Sequence, residues 1–303
     1  MTPPRDRPTA LPGRDRLLPA GTLWPRIREC SARALESGAL KPIPAECEVV
    51  SDGGVDFQVR IAANLHEKIR EVRAQQEREA AGETVDPFAD PEPDLLVGDL
   101  SATHYALLNK FPVLAHHLLL VTRAFEDQQA PLTAADFEAL RTALAEMDGL
   151  GFFNAGRAAG ASQGHKHLQL VPLPLGSEDP QPPIEALLRS RDLAAGPDTS
   201  PRLPFPHAAC RLQPGADGDE LLECFRALRA ALGLTDFTAP YNLLATRSWM
   251  MLVPRASERF DGIMINALGF AGGFLVRDRD DLANLRRIGP MRVLQGVSGA
   301  IEE

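Results

Sequence analysis

The apolar positions of the chain fall first into helical stripes and then into alternating or continuous runs. In TLWPRIRECSARALESG, Leu23, Ile27, Cys30, Ala34 and Leu35 recur at helical spacing. Thr22 stands where a cap would, Pro25 suits a first turn and Gly38 suits an end, so the stretch predicts a helix. In VDFQVRIA, Val55, Phe57, Val59 and Ile61 alternate with polar residues, as a half-buried strand requires. Residues 65–81 are charged and helix-prone, and DPFADPEPD then breaks the pattern as a surface loop.

Two apolar runs follow, Tyr105–Leu108 and His117–Thr122, separated by NKFPVLA; the second is rich in Leu and Val and predicts a buried strand. Thr133 caps a predicted helix, AADFEALRTALAEM, with Phe137, Leu140 and Leu144 on one face. LGFFNAGRAAGASQGHKHLQLVPLPLG reads as strand, glycine loop, strand. Residues 176–206 are a proline-rich connection with one short helix near Ile184–Arg191, and a helix follows at Asp219–Leu232. YNLLATRSWMMLVPRA and DGIMINALGFAGGFLVR read as two more strand pairs with glycines between them. YALLNKFPVLAHHLLLVTRAFE and YNLLATRSWMMLVPRASE echo one another, as two copies of an α+β unit about a pseudo-twofold would.

Composition narrows the class. The 303 residues, 44% hydrophobic and 24% charged, suffice for a large core. No apolar run approaches a membrane-spanning length. MTPPRDRPTALPGRDR lacks the apolar centre of a secretory signal and reads as a loosely ordered lead-in. Cys30, Cys47, Cys210 and Cys224 form no CxxC pair, which predicts free buried thiols in a reducing cytoplasm. A net charge of -9 argues against coating nucleic acid, yet leaves room for a locally positive pocket that takes a small anion. Lysine is scarce: only Lys41, Lys68, Lys110 and Lys166 occur.

The segment richest in chemistry is GASQGHKHLQLVPLP, Gly160 to Pro174. As a strand, it sets His165, His167, Gln169 and Val171 on one face and Lys166, Leu168 and Leu170 on the other. Neighbours in that row stand about 6–7 Å apart at the Cα, a spacing that suits an extended ligand such as a polyphosphate. Three readings compete on the residues alone. The row is a polar strand face bonded to solvent or a neighbour. It is a zinc chelate needing a third ligand such as His116, His117 or a cysteine, although glutamine is a poor zinc ligand. Or it is a nucleophile on phosphorus, since neutral imidazole attacks well near pH 7 and the glycine loop offers backbone N–H groups to phosphate oxygens.

His165-x-His167-x-Gln169 resembles the active-site strand of the histidine triad superfamily in its transferase branch, where glutamine replaces the last histidine. The wider frame resembles the diadenosine tetraphosphate phosphorylases, or ATP adenylyltransferases. ALESGALKPIP, LLNKFPVLAHHLLLVTRAFEDQ, NAGRAAGASQGHKHLQLVPLP, YNLLATRSWMMLVPR and NALGFAGGFLVR carry the likeness across residues 34–277. The resemblance implies an α+β fold, a histidine-triad-like antiparallel sheet flanked by helices in two pseudo-symmetric halves. The corresponding division is a flexible lead-in (1–21), a catalytic half (22–206) and a half completing the nucleotide site (207–303).

The implied reaction is phosphorolysis of diadenosine polyphosphates to ATP and ADP, with His167 as the nucleophile that becomes nucleotidylated. His165 would orient the site, and Gln169 would donate to a phosphate oxygen. By segment, the resemblance also implies substrate contacts from Lys68, Asn109, Lys110, Asn154, the loop Gly160, Ala161, Ser162 and Gln163, and the turn Asn266, Ala267 and Leu268. Gly273 and Arg277 stand where fungal relatives carry a methionine and a lysine; Arg277 keeps the charge but changes its geometry to a fork. Arg123, Arg157 and Arg247 are further candidates for the positive field, and His117 is expected to make a structural hydrogen bond. A divalent cation, magnesium, is expected with the polyphosphate, without a dedicated protein metal site. The expected partners are diadenosine polyphosphates, ATP, ADP and phosphate, not nucleic acid or membrane. Another nucleotidyltransferase or hydrolase of the same fold, and a silent nucleotide-binding module, are the rival readings.

Overall fold

A computed structural model describes residues 17–62, 86–176, 180–188 and 192–299. Its spine is an eight-stranded antiparallel sheet. All eight of its strands are four to six residues long and rich in apolar residues, and the sheet is covered on both faces. The strands are β3 (Leu96–Asp99), β4 (His104–Leu108), β5 (Leu118–Thr122), β6 (Gly149–Asn154), β7 (His167–Pro172), β8 (Ala208–Arg211), β9 (Tyr241–Ala245) and β10 (Trp249–Pro254). Their order across the sheet is β3-β4-β5-β7-β6-β9-β10-β8. A smaller sheet joins β1 (Ala45–Asp52), β2 (Val55–Ala62) and β13 (Gly273–Val276), and β11 (Arg259–Phe260) pairs with β12 (Ile263–Met264).

Helices α1 (Leu23–Ser37), α2 (Ala134–Glu146) and α4 (Gly218–Ala231) bury their apolar stripes against one face of the spine. Leu23, Ile27, Phe137, Leu140, Leu221 and Phe225 meet Leu168, Leu170, Phe153 and Leu243 there. The small sheet, α5 (Ala267–Ala271), α6 (Arg279–Ile288) and α7 (Pro290–Val297) cover the other face, where Phe57, Phe270, Phe274 and Leu285 meet Phe152, Val171 and Leu244. A short α3 (Glu185–Leu188) lies in the proline-rich connection. Among the described residues no helix is long and apolar enough to cross a membrane.

Local signals explain most ends. Thr133 caps α2 in a reciprocal box with Asp136, and Asp217 does the same for α4 with Glu220. Thr22 precedes α1 but makes no side-chain cap; the Glu146 carboxylate at the end of α2 accepts from Gly21 N and Leu23 N at 2.8 and 2.6 Å instead. Leu18 N donates to Asp99 O at 2.9 Å, so residues 17–21 of the expected lead-in are tied to β3.

Three sequence expectations are corrected. Ala267–Ala271 is helical, not strand, because Asn266 caps it and Gly272 ends it in the left-handed region. Cys210 on β8 and Cys224 on α4 form a disulfide, because the helix packs against that edge strand; Cys30 is buried and free, Cys47 exposed and free. The internal echo also pairs the wrong strands. In chain order β5-α2-β6-β7 recurs as β8-α4-β9-β10, and in the sheet β5-β7-β6 abuts β9-β10-β8, so β9–β10 corresponds to β6–β7 rather than to β4–β5. The helix-prone segment 65–81 lies outside the described residues.

The strand β6 lets α2 approach closely at Gly151, where a Cβ would lie 2.4 Å from Leu140 Cδ1. Gly151→Ala is therefore expected to cost about 1–3 kcal/mol of unfolding free energy by overpacking, read by denaturant titration. Unchanged stability would contradict the close packing.

Candidate active site

The histidine row lies at the start of β7, between β5 and β6. Register pairs Gln169 with Leu119 on one side and Phe152 on the other, and His167 with Val121. The β6–β7 ladder stops at that Phe152–Gln169 pair. Beyond it the Gln128 side chain takes over: its Oε1 accepts from His167 N at 2.9 Å, while its Nε2 donates to Asn154 O at 3.0 Å and His167 O at 3.2 Å. One buried amide thus holds the ends of two strands apart at a fixed spacing.

His167 is buried, and its Nδ1–H donates to the carbonyl oxygen of His165 at 2.8 Å. A carbonyl only accepts, so the proton sits on Nδ1 and Nε2 carries the lone pair. Burial pushes the imidazole down to about 4, opposed by that backbone hydrogen bond, so the ring is neutral at pH 7. His165 is placed differently. Its Nε2 faces Thr122 O at 2.8 Å and Thr122 Oγ1 at 3.0 Å, and its Nδ1 faces Asp86 Oδ2 at 2.8 Å. With both nitrogens engaged, His165 has none left for a metal, which removes the His-x-His chelate. Among the described residues no group of three or more His, Cys, Asp or Glu side chains is placed to hold a metal ion.

Asp86 and Phe88 come from DPFADPEPD, which is more than a surface loop: it folds over the row. The Phe88 ring packs edge-on against both His165 and His167, at 5.7 and 5.2 Å between centroids, and Tyr105 Oη donates to Phe88 O at 2.7 Å. Phe125, 63% exposed, meets the His165 ring at 5.3 Å. Behind the row, Lys166 is fully buried, its Nζ bonded to Glu126 at 2.5 Å, Pro131 O at 3.0 Å and Asp136 at 3.3 Å. Burial alone would raise the Asp136 carboxyl; the His104 hydrogen bond, Lys166 and Thr133 together hold it below its usual value. This network pins the strand to α2 from the face opposite the histidines.

Gln169 Oε1 lies 2.9 Å from His117 Nε2, and Asn109 Nδ2 lies 3.2 Å from His117 Nδ1. Asn109 thus joins the row through His117. Lys110 pairs with Glu92 at 2.9 Å, its Nζ over the Phe111 ring.

A second cluster meets the row through Gln128. Asn154 Oδ1 accepts from Asn242 Nδ2 at 2.8 Å and from Ala267 N at 2.9 Å, which joins β6, β9 and the start of α5. Gly160, at φ +92, lies so close to the Asn266 turn that a Cβ would come within 2.8 Å of Ile265 O. Asn266 Oδ1 in turn accepts from Leu268 N at 3.1 Å. Arg255 is buried and, among the described residues, forms no salt bridge to a carboxylate; it donates to Asn242 Oδ1, to Ala159 O and Val297 O at 3.2 Å, to Ser257 O at 2.6 Å and to Ile265 O at 2.9 Å. Burial lowers its guanidinium to about 10, which leaves it charged at neutral pH. It gathers the glycine loop, the Asn266 turn and the last helix around one cation.

The remaining expected residues sit further out. Ala161 N closes the loop on Gly156 O at 3.1 Å, Ser162 is exposed and Gln163 half-buried. Gly273 opens β13 beside Leu268 and Leu175. Arg277 is exposed and forks onto Asp281 at 2.7 and 2.8 Å. Arg123 pairs with Asp99, Arg247 caps the end of α2 through Leu144 O, and Arg157 is exposed. Lys68 lies outside the described residues. Sequence reasoning missed Asp86, Phe88, Gln128, Asn242 and Arg255. Gln128 and Arg255 each stand within or beside a segment that carries the resemblance, but neither follows a periodicity that would single it out.

Known families match both parts of the chain. The model of the Ap4A phosphorylase N-terminal domain matches residues 13–190, and that of the ATP adenylyltransferase C-terminal domain matches residues 201–300. Diadenosine 5',5'''-P1,P4-tetraphosphate phosphorylase 2 of Saccharomyces cerevisiae is 31% identical, over 86% of this chain and 89% of that one. Protein APA1 of the same yeast is 28% identical over 81% and 84%. The crystal structure of yeast Ap4A phosphorylase Apa2 superposes with a TM-score of 0.77 at 28% identity, covering 91% of this chain and 97% of that one, and a crystal structure of Apa2 in complex with Ap4A gives the same values.

The buried imidazole has a direct signature. In 15N NMR the His167 ring of the free protein is expected to stay in the neutral Nδ1–H form as pH falls past 6.5, charging only near 4. A midpoint near 6.5 would contradict the burial and the tautomer.

Proposed function

The chain belongs to the Ap4A phosphorylase and ATP adenylyltransferase family, and we infer from that membership and the site geometry how it works. It is a nucleotidyltransferase that cleaves diadenosine tetraphosphate with phosphate to give ATP and ADP. The observation that carries the mechanism is the His167 tautomer, with Nδ1–H held by the His165 carbonyl and Nε2 bearing the lone pair.

Nε2 attacks the phosphorus attached to one adenosine. The P–N bond forms as the bond to the bridging oxygen breaks, and ATP departs as an anion that needs no proton at neutral pH. Nδ1–H keeps its hydrogen bond to His165 O and stabilises the charge that the ring acquires. An oxygen of inorganic phosphate then attacks the same phosphorus, the P–N bond breaks toward Nε2, and ADP leaves. Neither step asks Gln169 for a proton, which an amide cannot exchange at pH 7. Its role is to donate a hydrogen bond to a phosphate oxygen. The glycine loop at residues 160–163, with Asn154 and the Asn266–Leu268 turn, would hold the nucleotide being transferred. Lys110 and, in relatives' terms, Lys68 and Arg277 would meet phosphates. A magnesium ion would travel with the tetraphosphate as part of the substrate. We propose a cytoplasmic location from the family membership, against which the Cys210–Cys224 disulfide stands as a feature uncommon in a reducing compartment.

Incubation with diadenosine tetraphosphate and phosphate is expected to give ATP plus ADP in equal amounts, resolved by chromatography, and His167→Ala is expected to lose turnover by at least about a thousandfold. Two ADP molecules, or ATP plus AMP, would identify a hydrolase instead. Gln169→His restores a proton acceptor beside the phosphorus and is expected to raise hydrolysis relative to phosphorolysis. An unchanged product ratio would remove that account of the glutamine.

A further inference from the structure

We propose that His117 and Asn109 are positioning residues that fix which end of the Gln169 amide faces the reacting phosphorus; the proposal rests on the reading of Gln169 as a phosphate donor. An amide side chain has a donor end and an acceptor end of nearly the same shape, and only its partners decide between them. At position 169 the choice matters, because the oxygen end would repel the phosphate that the nitrogen end attracts.

The structure makes the choice from one backbone group. Phe111 N–H, an obligatory donor, gives its hydrogen to Asn109 Oδ1 at 3.1 Å. That fixes Asn109 Nδ2 as the end turned to His117 Nδ1, at 3.2 Å. Nδ1 must therefore accept, and the ring proton moves to Nε2. Nε2–H then donates to Gln169 Oε1 at 2.9 Å, which leaves the Gln169 NH2 as the outward end. Among the described residues nothing accepts from that NH2.

The fold explains why these residues meet. Register pairs Leu119 with Gln169, so His117 is the diagonal neighbour of Gln169 on the same face, and Asn109 N continues the β4–β5 ladder to His117 O at 2.9 Å. His117 is buried, and its ring packs on Phe152, the partner of Gln169 on β6, at 5.8 Å between centroids. The imidazole is thereby held against rotation. Asn109, implied as a substrate contact by its segment, has both ends of its amide engaged inside the protein.

A double-mutant cycle tests the relay, with each variant's thermal unfolding measured to confirm folding. Gln169→Ala is expected to lower kcat about 10- to 100-fold, the worth of one hydrogen bond to a charged group. His117→Leu is expected to lower kcat within the same range with KM for diadenosine tetraphosphate nearly unchanged, and the double variant is expected to be no slower than Gln169→Ala alone. Asn109→Leu, which leaves the imidazole in place, is expected to show a smaller loss that also vanishes in the Gln169→Ala background. His117→Gln, which regains a donor to Gln169 Oε1, is expected to recover part of the loss of His117→Leu. Losses that multiply in the double variant overturn the relay and leave the reading of Gln169 intact. Full turnover by Gln169→Ala overturns both.

Discussion

The hydrogen bond from His167 Nδ1–H to the carbonyl of His165 is the constraint on which the site depends. It spans two residues where His165, bridged to Asp127, leads into the first residue of β7. What it requires from the rest of the molecule is that the strand be held still and the ring be kept dry. Lys166, with Glu126, Asp136 and the cap of α2, holds the strand from behind. Gln128 fixes both backbone groups of His167 from the side, and Phe88 closes over the ring from the front. The buried polar groups that hold the strand are tolerable because they partner one another, and those partners come from four separate segments.

The two halves divide the work. The first half carries the histidine row on β7, while its pseudo-symmetric counterpart β10 carries apolar residues, Trp249 to Val253, all fully buried. The second half contributes Asn242, Arg255 and the Asn266 turn, which lock onto Asn154 and the glycine loop. The repeated β-α-β-β order thus carries the histidine row in one half only, while the other half supplies buried support. Arg255 shows how that support is built: a cation paired with carbonyl oxygens and one amide oxygen gathers loops without placing a carboxylate beside an anionic substrate.

The sequence made the row legible because period-two alternation projects directly onto a strand face, and HKHLQ carries its chemistry in five consecutive residues. The helices α1, α2 and α4 were legible for the same kind of reason, periodic apolar positions between capping residues. The contributions of Asp86, Phe88 and Gln128 were not. They sit in loops, where no period marks them, and reach the row only after the chain has folded back. DPFADPEPD reads as a solvent loop because its composition is proline and acid; one aromatic and one carboxylate within it turn inward. The same holds for Cys210 and Cys224, whose contact is set by α4 crossing β8, and for Ala267–Ala271, where a five-residue helix is too short for a period to show. His117 was read as a structural hydrogen bond; its bond to Gln169 places that structure inside the site.

The central claim is that His167 Nε2 carries the nucleotide between two acceptors. The measurement that tests it most directly is the intact mass of the protein mixed with diadenosine tetraphosphate in the absence of phosphate, followed by peptide mapping under conditions that preserve phosphoramidates. The account predicts one added adenylyl group per chain, on His167, removed as ADP when phosphate is supplied. A protein that turns over while its mass stays unmodified, or that carries the group on another residue, would contradict it.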